Sequence, residues 1–146
     1  MLSIALAAIA VTARRTGGGL ERNRGDMIKR LKFAGIPTSD QDRALAFWTT
    51  QLGFRVLTDQ PFGAQRWIEI RIPGAETGIV LFTPEGQEDR IGQFQSLSFQ
   101  CDDLEKTVAE LRAKGVAFDG DIERADWGSS AIFKDPDGNS FVLSEA

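Results

Sequence analysis

Histidine and tyrosine are both missing from the 146 residues, and cysteine occurs once. Without histidine there is no imidazole base, no Ser-His-Asp triad and no His-based metal site, because histidine is the commonest transition-metal ligand and titrates near neutral pH. Without tyrosine there is no phenolic acid. A single thiol, Cys101, cannot close an internal disulfide, so nothing calls for an oxidising compartment. Any catalysis falls to carboxylates, Lys, Arg, Ser or Cys101. Long apolar runs are missing too: the Ala-rich stretch over residues 1–11 is too short to cross a bilayer, and no basic residues precede it as in a secretory signal. A cytoplasmic protein with no membrane partner is expected. The net charge of −4 argues against a nucleic-acid partner, which favours clustered basic surface.

What is present divides unevenly. Residues 1–26 carry Arg14, Arg15, Arg22 and Arg24 around a glycine run, a different composition from the rest. That run lacks a following Lys-Ser or Lys-Thr, so it is not a phosphate loop. The segment is expected to be a disordered extension, or to precede a natural start at Met27. Mass spectrometry of the protein made from its own gene decides between these. Residues 27–146 are expected to form a single domain built from two repeats, about 29–84 and 93–145.

The repeat is visible in the helix signals. Asp40 opens DQDRALAFWTTQLGF, with Ala44, Phe47, Trp48, Gln51 and Leu52 at helical spacing and Gly53 at the end. Asp102 or Asp103, the latter 63 residues later, opens DDLEKTVAELRAKGV, with Leu104, Val108 and Leu111 on one face and Gly115 as the cap. A short alternating strand precedes each helix, and three candidates follow: 55–58, 65–72 and 78–82 in the first unit, 117–118, 127–133 and 141–143 in the second. Each half reads β-α-β-β-β.

Strand alternation sorts the faces. Leu97, Phe99 and Cys101 are expected under the helix, with Ser96, Ser98 and Gln100 opposite. Ile68, Ile70 and Ile72 pack, while Trp67, Glu69 and Arg71 face away from the helix. Ile79, Leu81, Phe141 and Leu143 pack, while Val80, Phe82 and Val142 face the same way as Trp67.

The opening SDQDRALAFW with its QLGF end, the later CDDLEKTVAELRAKGV and the closing KDPDGNSFVL resemble the vicinal oxygen chelate superfamily. This group includes glyoxalase I, bleomycin-resistance proteins, fosfomycin-resistance enzymes and extradiol dioxygenases. The resemblance spans about residues 27–145. It implies an α+β fold in which two βαβββ repeats form a curved, cup-shaped mixed sheet with helices on the convex face. Metal-binding members carry ligands in the first and last strand of each unit. By the motifs of this chain those positions are Phe33, Val80, Ser96 and Val142. None is a thiolate, imidazole or carboxylate, so the resemblance implies a cup with neither metal nor cofactor.

The candidate substrate-binding residues are Phe33, Trp67, Glu69, Arg71, Val80, Ser96, Trp127 and Val142. Trp67 and Trp127 are candidates to stack on a planar ligand from two sides, with Phe62 closing over it; core or dimer-interface packing is the alternative. Glu69 is the one weak catalytic candidate, against an ion pair with Arg66 or Arg71. Arg71 either holds a substrate carboxylate or is solvated. Cys101 reads as a buried apolar residue, and Trp48 as core. Three functions follow: a metal-independent protein binding a hydrophobic or aromatic small molecule, as in the bleomycin-resistance branch; an enzyme of the same superfamily, lyase, isomerase or dioxygenase-like; or a ligand-free structural dimer. A symmetric homodimer is expected from the resemblance.

Overall fold

Two aspartates start the two helices. Asp40 and Asp103 lie in extended backbone, and their side chains accept from the amides of Arg43 and Lys106. Each satisfies a donor that the first helical turn leaves free. The computed structural model describes residues 27–146, so the extension expected over 1–26 lies outside the described residues. Within it, Lys32–Ala146 is one compact unit. Helix α1 is Gln41–Ala46 and runs on into a π-helical turn, Phe47–Gln51. Helix α2 is Leu104–Ala113. Gly53 and Gly115 follow them at φ of 77° and 86°, left-handed backbone that glycine adopts without a Cβ penalty.

The strands β1 (Phe33–Pro37), β2 (Arg55–Phe62), β3 (Gln65–Arg71) and β4 (Gly78–Phe82) form one sheet, ordered β1-β4-β3-β2. In it β1 runs parallel to β4, and the other neighbours are antiparallel. The second sheet holds β5 (Phe94–Cys101), β6 (Ala117–Phe118), β7 (Glu123–Ala125), β8 (Gly128–Lys134) and β9 (Ser140–Glu145). Its order is β5-β9-β8-β6, with β7 paired to β8, and β5 again runs parallel to the last strand. The repeat is therefore one of topology as well as of sequence, and the fold is α+β with two open, curved mixed sheets.

Four details differ from the sequence expectation. Strand β7 is an additional element, a short polar strand without apolar alternation. Strand β8 begins at Gly128, so Trp127 lies in the turn before it. Strand β3 stops at Arg71, leaving Ile72 38% exposed instead of under the helix. Strand β2 continues to Phe62, with a register shift between Val56 and Thr58 that places Leu57 as an extra residue.

One core serves both halves. Ala44, Phe47 and Trp48 of the first helical segment join Leu104 and Val108 of α2 between Ile68, Ile70, Ile79 and Leu81 on one side and Phe133, Phe141 and Leu143 on the other. Trp48 is fully buried, with its ring centroid 5.2 Å from that of Phe141 and 5.7 Å from that of Phe99. A residue of the first repeat thus packs on the second sheet. The helices share this core, so each sheet keeps its other face for function.

A polar clasp fastens the same junction. In the turn between β8 and β9, Asn139 is wholly buried. Its Nδ2 donates to Pro37 O and to Asp135 Oδ2, both at 2.8 Å, while its Oδ1 accepts from the Gly92 amide at 2.8 Å. Asp137 accepts from the Ser39 amide at 3.1 Å and pairs with Arg43 at 2.9 Å. The DPDGN stretch therefore does more than reverse the chain: it ties the last turn of the second repeat to the strand-helix junction of the first.

Candidate functional site

Alternation along β3 builds the candidate face. Ile68 and Ile70 are wholly buried in the core, which turns Trp67, Glu69 and Arg71 to the opposite side. Register then gathers their neighbours, because residues directly opposite across a pair share a face. Val80 lies opposite Glu69, Gly35 is beside Val80, and Phe33 is beside Gly78. On β2, Gln60 lies opposite Trp67 and Phe62 opposite Gln65.

Three rings meet there. Phe33 and Phe62 stand edge-on to Trp67, at centroid separations of 5.5 Å and 6.0 Å. Such T-shaped pairs each contribute about 0.5–1.5 kcal/mol beyond area burial. Trp67, Glu69 and Val80 are only 3%, 8% and 2% exposed, so the face is closed around its own side chains in this conformation. Phe33 and Phe62 are half-buried and form its accessible edge.

The polar groups on this face are incompletely matched. Glu69 Oε1 lies 3.8 Å from Arg71 Nη2, an ion pair longer than a hydrogen bond. The Trp67 indole N–H and the Arg71 Nε–H are buried with no acceptor within reach. A buried donor left unmade costs about 1–3 kcal/mol. Gly78 is what admits the Glu69 carboxylate, because a Cβ there would stand 2.3 Å from Glu69 Oε1.

The matching face of the second sheet has another character. Ser96, Ser98 and Gln100 are exposed, and Val142 lies beside Ser98 and opposite Ile132. The structure thus brings Phe33, Trp67, Glu69, Arg71 and Val80 together on one sheet, and Ser96 and Val142 on the other. Trp127 joins neither group: it occupies the two-residue turn between Ala125 and Gly128 and is 73% exposed. Trp48 is core as expected. Burial pushes the Cys101 thiol above its ordinary value, which leaves it a poor nucleophile.

The four positions to which the resemblance carries metal ligands, Phe33, Val80, Ser96 and Val142, offer three hydrocarbon side chains and one hydroxyl. That donor set does not fit a divalent ion. Phe33 instead packs on Trp67, and Val80 is sealed beneath the face. Among the described residues no cluster of three His, Cys, Asp or Glu side chains is placed to hold a metal.

A separate polar groove of about 380 Å³ lies beside the start of α1, lined by Ser39, Asp42, Gln65, Arg66 and Thr83 among others. Its cation is already engaged, since Arg66 pairs with Asp59 at 2.9 Å and with Asp42. None of the candidate residues lines it. Sequence reasoning missed the space at Gly78, and the only available signal was a glycine heading a strand that reads as fully apolar. No helix among the described residues is long and apolar enough to cross a membrane.

The model of the Glyoxalase/Bleomycin resistance protein/Dioxygenase superfamily matches residues 30–143. YetH of Bacillus subtilis (strain 168) is 34% identical over 120 residues, covering 82% of this chain and 100% of YetH. Among solved structures, TnmS3, an antibiotic binding protein from Streptomyces sp. CB03234, is 34% identical with a TM-score of 0.72, over 82% of this chain and 98% of that one. A superfamily member from Sphaerobacter thermophilus DSM 20745 is 33% identical with a TM-score of 0.76, over 82% of this chain and 99% of that one.

Proposed function

The chain belongs to the glyoxalase/bleomycin resistance protein/dioxygenase superfamily, and from that premise we propose that it binds a small hydrophobic or aromatic molecule without a metal ion. One observation carries the reading: Phe33 and Val80 belong to a face organised around Trp67. On the resemblance, these two and Val142 stand where metal-binding members hold ligand side chains. A dry aromatic surface with a few polar groups suits the body of a flat ligand and offers nothing to polarise a substrate oxygen. The similarity to TnmS3, an antibiotic binding protein, supports a binding role.

In this reading Phe33 and Phe62, the accessible edge of the closed face, move aside to admit the ligand, which then lies against Trp67 and Val80. Arg71 and Glu69 border it. Ser96, Val142 and Trp127 come from the second copy of a symmetric dimer, where the exposed face of the second sheet meets the aromatic face of the first.

The test is a titration of the full chain with 2-ethylnaphthalene, a flat apolar probe, followed by calorimetry or fluorescence. Saturable binding is expected, weakened about tenfold or more in Trp67→Ala, with the fold checked by circular dichroism. Binding that ignores Trp67→Ala would contradict this placement of the ligand.

The burial of Glu69 on the same face favours a second reading, an enzyme of the superfamily, lyase, isomerase or dioxygenase-like, with Glu69 as base. Glu69→Gln would then abolish turnover and keep probe binding. Equal activity in the variant removes Glu69 from that role.

A further inference from the structure

Among the described residues, three tryptophan and arginine N–H groups are buried without an acceptor: Trp48 Nε1, Trp67 Nε1 and Arg71 Nε. Trp48 is wholly buried in the core, ringed by Phe47, Phe54, Phe99, Phe133 and Phe141, and its unmatched N–H is a cost of that packing. The other two share the face on which the ligand is placed. Native proteins carry few such groups, and two on one surface, both donors, ask for a partner that brings acceptors.

We propose that the ligand of this face carries an uncharged oxygen acceptor on an aromatic body, in the manner of an aryl ketone, ester or amide, and that the oxygen takes the Trp67 indole hydrogen. The inference rests on the binding reading above and specifies its chemistry. The aromatic body follows from Phe33 and Phe62, which stand edge-on to the same indole. The acceptor follows from the indole N–H, which can only donate. Neutrality follows from Glu69, two residues along the same strand face and only 8% exposed. A carboxylate brought to Trp67 would add a second negative charge beside Glu69 in a poorly solvated place, with Arg71, 3.8 Å from Glu69, left to serve both. A cationic ligand would suit Glu69 and leave both donors unmet. Arg71 Nε, on the same strand face, is a second donor for a ligand bearing two oxygens.

Three probes with one ring system separate the possibilities: 2-acetylnaphthalene, 2-ethylnaphthalene and 2-naphthoate. Each is titrated into the ¹⁵N-labelled full chain, and the Trp67 indole resonance is followed after assignment with Trp67→Phe. The ketone is expected to move the Trp67 indole proton downfield and to bind about fivefold or more tighter than the ethyl compound, as one net hydrogen bond allows. Trp67→Phe, which keeps a ring and loses the N–H, is expected to bring that ratio close to one. Equal binding of ketone and ethyl compound with an unmoved indole resonance overturns the acceptor and leaves the binding reading standing. Tightest binding of 2-naphthoate overturns neutrality. No saturable binding of any of the three overturns the binding reading and this inference together.

Discussion

Gly78 shows how one missing side chain sets the chemistry of the face. The space that a Cβ would take is held by the Glu69 carboxylate, at 2.3 Å from the ideal Cβ position. Gly78→Ala is expected to cost about 1–3 kcal/mol, as overpacking does. The cost should shrink in a Glu69→Ala background, because the clash goes with the carboxylate. Urea unfolding of the two single variants and the double variant reads the coupling directly. Strictly additive costs would mean that the glycine is kept for another reason. The facing of Trp67 and Glu69 away from the helix was legible in the sequence, since Ile68 and Ile70 alternate with them and strand parity is a local rule. The role of Gly78 was not legible, because a glycine records nothing of what fills the space beside it. Trp127 misled for a related reason: the strand boundary lies one residue later, and a hairpin turn carries an aromatic as readily as a strand does.

At the scale of the element, the turn between β8 and β9 carries two carboxylates with opposite tendencies. Burial raises the Asp135 carboxyl to about 6, despite hydrogen bonds from Asn139 and from the Asp137 amide. Burial pushes Asp137 up as well, but hydrogen bonds from Ser39 and Thr38 and the charge of Arg43 outweigh it and hold the group below its ordinary value. The signs then follow. Between about pH 4 and 6 native Asp135 keeps a proton that the unfolded chain has released, so its contribution to stability is present at low pH and is lost as pH rises through 6. Asp137 acts in the other sense, with stability lost only as pH falls below the ordinary carboxylate range. Unfolding free energies of wild type and Asp135→Asn between pH 4 and 7 separate them. Wild type is expected to lose on the order of 2 kcal/mol relative to the variant across that range, and parallel profiles would contradict the assignment.

The caps of both helices were legible, because Asp40 and Asp103 act on amides three residues away. The clasp was not: Asn139 reaches Pro37 across 102 residues, and nothing local marks such a partner. The π-helical turn was hidden for a like reason. It accompanies the burial of both Phe47 and Trp48 in the shared core, a tertiary demand that helical spacing alone does not express.

The whole molecule joins two repeats through one core and presents two unlike faces. The first is aromatic and closed; the second is lined by serines and open, with Phe94 58% exposed and Trp127 73% exposed near its margins. Two large apolar residues left in water, beside a free sheet face, suit a symmetric pairing that sets the second face of one copy against the first face of the other. Light scattering of the full chain should then give twice the chain mass, and a monomer at micromolar concentration would contradict the pairing. The βαβββ repeat was legible because each copy restates the same caps and alternation 63 residues apart. The difference between the faces was only half legible: Ser96 and Ser98 announced the polar one, but the closure of the other depends on rings from β1, β2 and β3 meeting in space.

The central proposal is that this scaffold, shared with metal-dependent members of the superfamily, works here as a metal-free binding cup. The metal content of the full chain, purified without tag or chelator, tests it most directly when read with the melting temperature before and after EDTA. The account predicts far less than one metal per chain and an unchanged melting temperature. One bound metal per chain, with a melting temperature that falls on chelation, would show that Phe33, Val80, Ser96 and Val142 are not the relevant positions and would give the enzyme reading the lead.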